Sequence, residues 1–61
     1  MPQREYTIYQ APTRQGPWSQ LKHIHTDMYN AIQVALNLQP CETWLRIVPD
    51  GRLEHAQYVA P

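Results

Sequence analysis

The chain has one cysteine, Cys41, no phenylalanine, and only two glycines, Gly16 and Gly51. A single thiol excludes an intrachain disulfide and fits a reducing compartment better than secretion. Two isolated glycines cannot build the G-x-x-x-x-G-K loop that cradles phosphates. Charge of either sign is not in excess: five Lys and Arg balance five Asp and Glu. That balance argues against affinity built on phosphate neutralisation, though a local basic patch stays open. No apolar run approaches the roughly 20 residues needed to cross a bilayer. No signal-peptide pattern opens the chain. A cytoplasmic location with no membrane partner is therefore expected.

What is present is one helical pattern. In Thr26–Gln39, Met28, Ala31, Ile32, Ala35 and Leu38 recur at helical spacing, with Asn30, Gln33 and Asn37 opposite. Val34 and Leu36 widen the apolar side. Thr26 or Asp27 suits the N-cap, and Pro40 ends the helix because it restrains Gln39 and lacks an N–H. A helix of about four turns does not hold its shape alone, so the rest of the chain must supply a sheet.

Four extended runs do so. Glu5–Gln10 alternates Tyr6 and Ile8 with Thr7 and Tyr9, the pattern of a first strand. Ala11–Pro17 collects prolines and a glycine and reads as a loop. Trp18–His25 is a second, imperfect strand: Trp18 and Ile24 share one parity, Leu21, His23 and His25 the other. Thr43–Val48 is the strongest strand, and Arg52–Val59 the last. Between them, Pro49 in the first central position of a type I turn, closed by a Gly51 bulge, sets a register. Val48 then faces Arg52, Ile47 faces Leu53, Arg46 faces Glu54 and Trp44 faces Ala56. Leu45, Ile47, Leu53, His55 and Val59 point to the helix, and Trp44, Arg46, Glu54 and Tyr58 away from it. The expected fold is α+β, order ββαββ, as one small domain over residues 1–61: an antiparallel-rich sheet with one helix on one face. A domain this small hides only about 60% of its unfolded surface. Self-association is one route to added stability, and a homodimer is expected.

Few residues point to chemistry. His23 and His25 form H-x-H on one strand and would offer two ligands, but a metal site needs three or four, so no metal and no cofactor are expected. Cys41 sits in a connection with no protease signature around it. No paired carboxylates can be placed together, and so small a fold leaves little room for a pocket. No enzyme and no small-molecule substrate are expected. The residues that stand out are Tyr9, Trp44, Arg46 and Tyr58, joined by Lys22 if the second strand pairs that way, on the sheet face away from the helix. Such a group has the composition of a protein-binding hot spot. It also suits stacking of single-stranded bases, or simply covers and stiffens the sheet. The leading expectation is a non-enzymatic protein-interaction module, using these aromatics or an unpaired edge strand. A single-stranded nucleic-acid binder is the alternative.

The aromatic first strand, Gly16-Pro17-Trp18, Thr26 before a helix holding Ala31 and Ala35, and LRIVPDGRL at Leu45–Leu53 together resemble small bacterial ββαββ domains of unknown function. These carry a G-W second strand, a Thr before an Ala-rich helix, and a D-G hairpin. The resemblance spans most of the chain and implies a fold, with no activity and no catalytic residues. Pro17 between glycine and tryptophan departs from the pattern, as does the lack of charged residues after the first helical turn. In size and compactness the chain is also similar to small phage proteins that bind and inhibit a host factor.

Overall fold

A computed structural model describes residues 3–61. Four strands and one helix follow in the order ββαββ, an α+β fold: β1 (Arg4–Ala11), β2 (Ser19–Thr26), α1 (Met28–Leu38), β3 (Trp44–Pro49) and β4 (Gln57–Val59). All pairings are antiparallel in one sheet of order β2-β1-β3-β4. Placing β1 inside the sheet explains its composition. Tyr6 and Ile8 are buried on the helix side, while Thr7 and Tyr9 point to the opposite, open face.

The core is Tyr6, Ile8, Leu45 and Ile47 from the sheet, against Ala31 and Ala35 from α1. Met28, Ile32 and Val34 pack around it. Leu36 and Leu38 extend the helical pattern but are exposed. The helix begins one residue after Asp27, whose carboxylate accepts from the Asn30 N–H at 2.8 Å. Thr26 stays in β2, so of the two candidate caps Asp27 serves. At the other end the Gln39 amide donates to the carbonyls of Thr43 and Ala60, both at 3.0 Å, tying α1 to the start of β3 and the end of β4.

The uneven alternation of the second strand has a structural cause. Register along β1 and β2 shifts between Ile8, opposite Lys22, and Tyr9, opposite Gln20. Leu21 is the extra residue of a β-bulge, which reverses the parity on either side of it. Leu21 and Ile24 thereby both reach the core. Trp18 and His23, of unlike sequence parity, share the open face.

The last hairpin corrects the sequence expectation. β4 starts at Gln57, not Arg52, and pairs Leu45 with Val59, Arg46 with Tyr58 and Ile47 with Gln57. Asp50 and Gly51 both have positive φ, 51° and 71°, and the Arg52 N–H donates to the Pro49 carbonyl at 2.8 Å. Two left-handed central residues are the mark of a type I′ turn, so Pro49 precedes the centre instead of occupying it. The reason is a third strand. The Asp50 N–H donates to the Glu5 carbonyl at 2.6 Å, and the Glu5 N–H donates to Asp50 Oδ1 at 3.2 Å. This holds the turn to β1 and sends the chain away from β3. Leu53–His55 then forms a 3₁₀ turn that packs back on β3. Val48, on the open face beside Thr7, is buried although it lies outside the helix-side core. A strand running straight on from Arg52 leaves Val48 to water.

The slip from the expected pairing is an even number of residues, so faces survive while partners change. Val59 does reach the core, and Arg46 and Tyr58 share the open face. Leu53 and His55, expected toward the helix, are exposed, and no Arg46–Glu54 pair forms. Leu53→Ala is therefore expected to change stability by no more than about 0.5 kcal/mol, as for other exposed positions. Val59→Ala should cost at least about 1 kcal/mol through lost burial. Urea melts of the two variants check this, and the opposite ranking supports the strand beginning at Arg52.

Glu42, in the turn between α1 and β3, has φ of 60°. A side chain costs roughly 1–2 kcal/mol there, whereas glycine adopts it freely but loses more entropy on folding. Glu42→Gly is expected to stabilise by about 0.5–1 kcal/mol in the same melts. A destabilised variant contradicts a left-handed Glu42.

Candidate interaction site

By strand alternation all four residues singled out in the sequence share the open face, and Tyr9, Arg46 and Tyr58 lie side by side on neighbouring strands. Arg46 lies opposite Tyr9 on one side and Tyr58 on the other, because β3 sits between β1 and β4. Trp44 lies opposite Ala11 at the strand end and takes no part in the ring contacts described below. The residue that completes the group is Trp18. It stands at the end of the loop before β2, yet its ring centroid is 5.8 Å from that of Tyr58 on β4, tilted by 60°. The indole thus reaches across β1 and β3.

Two guanidinium groups are interleaved with these rings. Arg46 Cζ lies 4.6 Å from the Trp18 ring centroid and 4.8 Å from that of Tyr9. Arg14, from the same loop as Trp18, lies over Tyr58 at 5.0 Å. These distances are within the range of cation–π attraction, which favours arginine over flat aromatic faces. The loop is shaped for this approach. Gly16 has φ of +104°, and a Cβ on it would come within 3.1 Å of the indole Cδ1. Thr13 closes the turn, its hydroxyl donating to the Gly16 carbonyl and its own carbonyl accepting the Gly16 N–H. Pro17 follows through a cis peptide bond.

Electrostatically the cluster is one-sided. Among the described residues the contacts at salt-bridge distance are Arg4–Asp50 and His23–Glu5, and neither Arg14 nor Arg46 has a carboxylate within 4.0 Å. The Nε of Arg46 is buried with no acceptor. Buried donors usually find partners; the contacts that hold this guanidinium include the Tyr9 and Trp18 rings.

At the far end of the open face His23 is engaged at both ring nitrogens. Nε2 lies 2.6 Å from a Glu5 carboxylate oxygen, and Nδ1 lies 3.2 Å from the Thr7 hydroxyl. Carboxylate, imidazole and hydroxyl in line follow the order of a nucleophilic triad. The His23 and Glu5 side chains, however, are about half exposed, at 53% and 52%. The groove of about 220 Å³ lies elsewhere, lined by Gln10, Ala11, Pro12, Pro17, Ser19 and Thr43. Nothing in this geometry excludes water or holds a substrate, and an exposed pair of this kind contributes at most about 1 kcal/mol. Among the described residues no three His, Cys, Asp or Glu side chains gather as a metal site, and Cys41 is exposed.

Sequence reasoning missed Trp18 because strict alternation grouped it with Ile24, a core residue. Its signal was the broken alternation itself: a bulge anywhere between Trp18 and Ile24 separates the two. Lys22, a conditional member of the group, lies beside that bulge and does not join the cluster.

The stacking between Trp18 and Arg46 should be measurable. In a double-mutant cycle of Trp18→Ala and Arg46→Met, the coupling is expected to be about 0.5–1 kcal/mol. Additive effects show that the indole does not rest on the guanidinium in solution.

No protein-family model matches the chain, and no curated protein or solved structure matches it closely.

Proposed function

We propose that this chain is a small non-enzymatic interaction module that binds a protein partner, a second copy included, through the open face around Tyr9, Trp18, Arg46 and Tyr58. The observation that carries this reading is the convergence of three aromatics and two arginines from separate segments onto one patch. Trp, Tyr and Arg dominate the residues that contribute most to protein interfaces. Tyr58 is exposed and the other rings are partly so. Rigid aromatic side chains also lose little conformational freedom on binding. Inhibition or modulation of a host factor in a bacterial cytoplasm is a role of this kind.

The face is a better candidate than the edges. β2 offers eight residues at one edge, but the bulge at Leu21 and the adjacent Lys22 interrupt it. Both features discourage strand addition. β4 is only three residues long.

Nucleic acid is the second reading, since aromatic and basic side chains share a sheet surface. It is the weaker one. Each ring already carries a guanidinium against it, and the chain has no net charge.

The test compares wild type with a Trp18→Ala/Tyr58→Ala variant, as bait in a native lysate and by light scattering. The expected result is a protein retained by wild type and shed by the variant, or a mass about twice 7.2 kDa that falls to the monomer in the variant. Retention or mass unaffected by the variant removes the face from the interface. Binding of a twelve-residue oligothymidylate that falls steeply with salt transfers the face to nucleic acid.

A further inference from the structure

We infer that Arg46 is a preformed receptor for a carboxylate, and that the segment docking on the open face is an acidic peptide. This rests on the proposed protein-binding role of that face and adds the chemistry of the partner.

Arg46 is the centre of the patch, flanked on the sheet by Tyr9 and Tyr58 and stacked on the rings of Tyr9 and Trp18. Contact with two rings restrains the side chain before any ligand arrives. A planar fork with five donors matches a carboxylate through two parallel hydrogen bonds, and a restrained fork loses less freedom in forming them. The restraint is bought without an anion. Among the described residues no carboxylate lies within 4.0 Å of the Arg46 side chain, and because its Nε is buried a ligand would be met by the two Nη groups. An arginine this central with no protein anion is a local positive charge awaiting one.

Arg14 adds a second charge. It is exposed and lies over Tyr58, itself stacked against Trp18. Two cations linked through two rings favour a ligand with more than one negative charge. The acidic residues of the chain are engaged elsewhere or lie beyond 4.0 Å of both arginines. Glu5 meets His23, Asp27 caps α1, and Asp50 holds the turn to β1. Glu42 and Glu54 lie in the turn after α1 and the 3₁₀ turn. The patch is therefore basic within a neutral molecule, and complementarity selects an acidic partner.

Carboxylate is favoured over nucleotide phosphate by the state of the rings. Base recognition on a sheet needs free ring faces for stacking. Here Tyr9 and Trp18 hold the Arg46 guanidinium and Tyr58 holds that of Arg14. Each ring thus has a guanidinium against it, and an incoming base would compete with that contact.

The test titrates the full chain with three probes: hexaglutamate, a twelve-residue oligothymidylate and inorganic phosphate. The readout is the arginine Nε–H resonance of Arg46 in isotope-labelled wild type, with Trp18 fluorescence in a Trp44→Phe background as a second signal. Saturable shifts with hexaglutamate are expected, about tenfold tighter than with phosphate and weakened at least tenfold by Arg46→Lys. Lys22→Gln should change nothing. Circular dichroism establishes that the Arg46→Lys variant is folded, and the wild-type resonance decides the matter if it is not. An Arg46 signal unmoved by hexaglutamate, equal affinity in a folded Arg46→Lys variant, or tighter binding of the oligothymidylate overturns the inference. Failure here while Trp18→Ala/Tyr58→Ala still sheds a captured protein leaves the interface standing and removes only its acidic partner.

Discussion

The close contact between helix and sheet rests on two alanines. Ala31 and Ala35 are the fully buried residues of α1, and against them lie Tyr6, Ile8, Leu45 and Ile47. A methyl side chain lets the helix axis come close to the sheet, so that an eleven-residue helix suffices to bury four larger side chains. Larger residues at either position lift the helix and open gaps that a protein of this size cannot fill. With one face closed so economically, the opposite face of the sheet is left to short irregular segments. The loop before β2 reaches over it with Arg14 and Trp18, and the 3₁₀ turn before β4 packs on β3. The absence of a second helix is thus answered by two loops. One of them carries the candidate site.

The parts of the fold legible in the sequence were those governed by local rules. Helical spacing across Met28, Ala31, Ile32 and Ala35 located α1, Asp27 and Pro40 bracketed it, and alternation around Ile8 and Ile47 gave two strands. What escaped was decided between segments distant in the chain. The turn at Asp50-Gly51 follows local preference for left-handed residues, yet its direction is set by one backbone and one carboxylate hydrogen bond to the Glu5 main chain, 45 residues away. Pairing rules for a two-stranded hairpin do not include that third strand. They placed Leu53 against Ile47, when the chain had already left the sheet. Because the slip was even, Tyr58 kept its face, and the grouping of Tyr9, Arg46 and Tyr58 emerged from a register that was itself incorrect. Correct faces are weaker evidence for a pairing than they seemed.

Trp18 marks the limit of alternation as a guide to surfaces. Period two holds only while both strands advance in step, and the bulge at Leu21 breaks the step. Leu21 gains the core by it, and the indole gains the open face. One irregularity therefore serves stability and site together. Trp44, the tryptophan that alternation placed outward, lies on that face at the strand end and makes none of the ring contacts of Trp18.

The same cluster fastens the loop and presents the site, and these demands are compatible only because the cation is arginine. A lysine beneath the indole would hold a compact, strongly hydrated charge, and burying it there would cost solvation that a ring face recovers only in part. A leucine would pack equally well and leave nothing to recognise. The guanidinium is planar and weakly hydrated, which suits it to lie over both the Tyr9 and Trp18 rings. Packing thus places Arg46 against two rings and buries its Nε, so hydrogen bonds to a partner would fall to the terminal Nη groups. The Nε buried without an acceptor is the cost of this arrangement in the free protein. Cation–π attraction to two rings gives Arg46 a structural role without a counter-ion, and under the proposed function the same charge is what a partner's anion would meet.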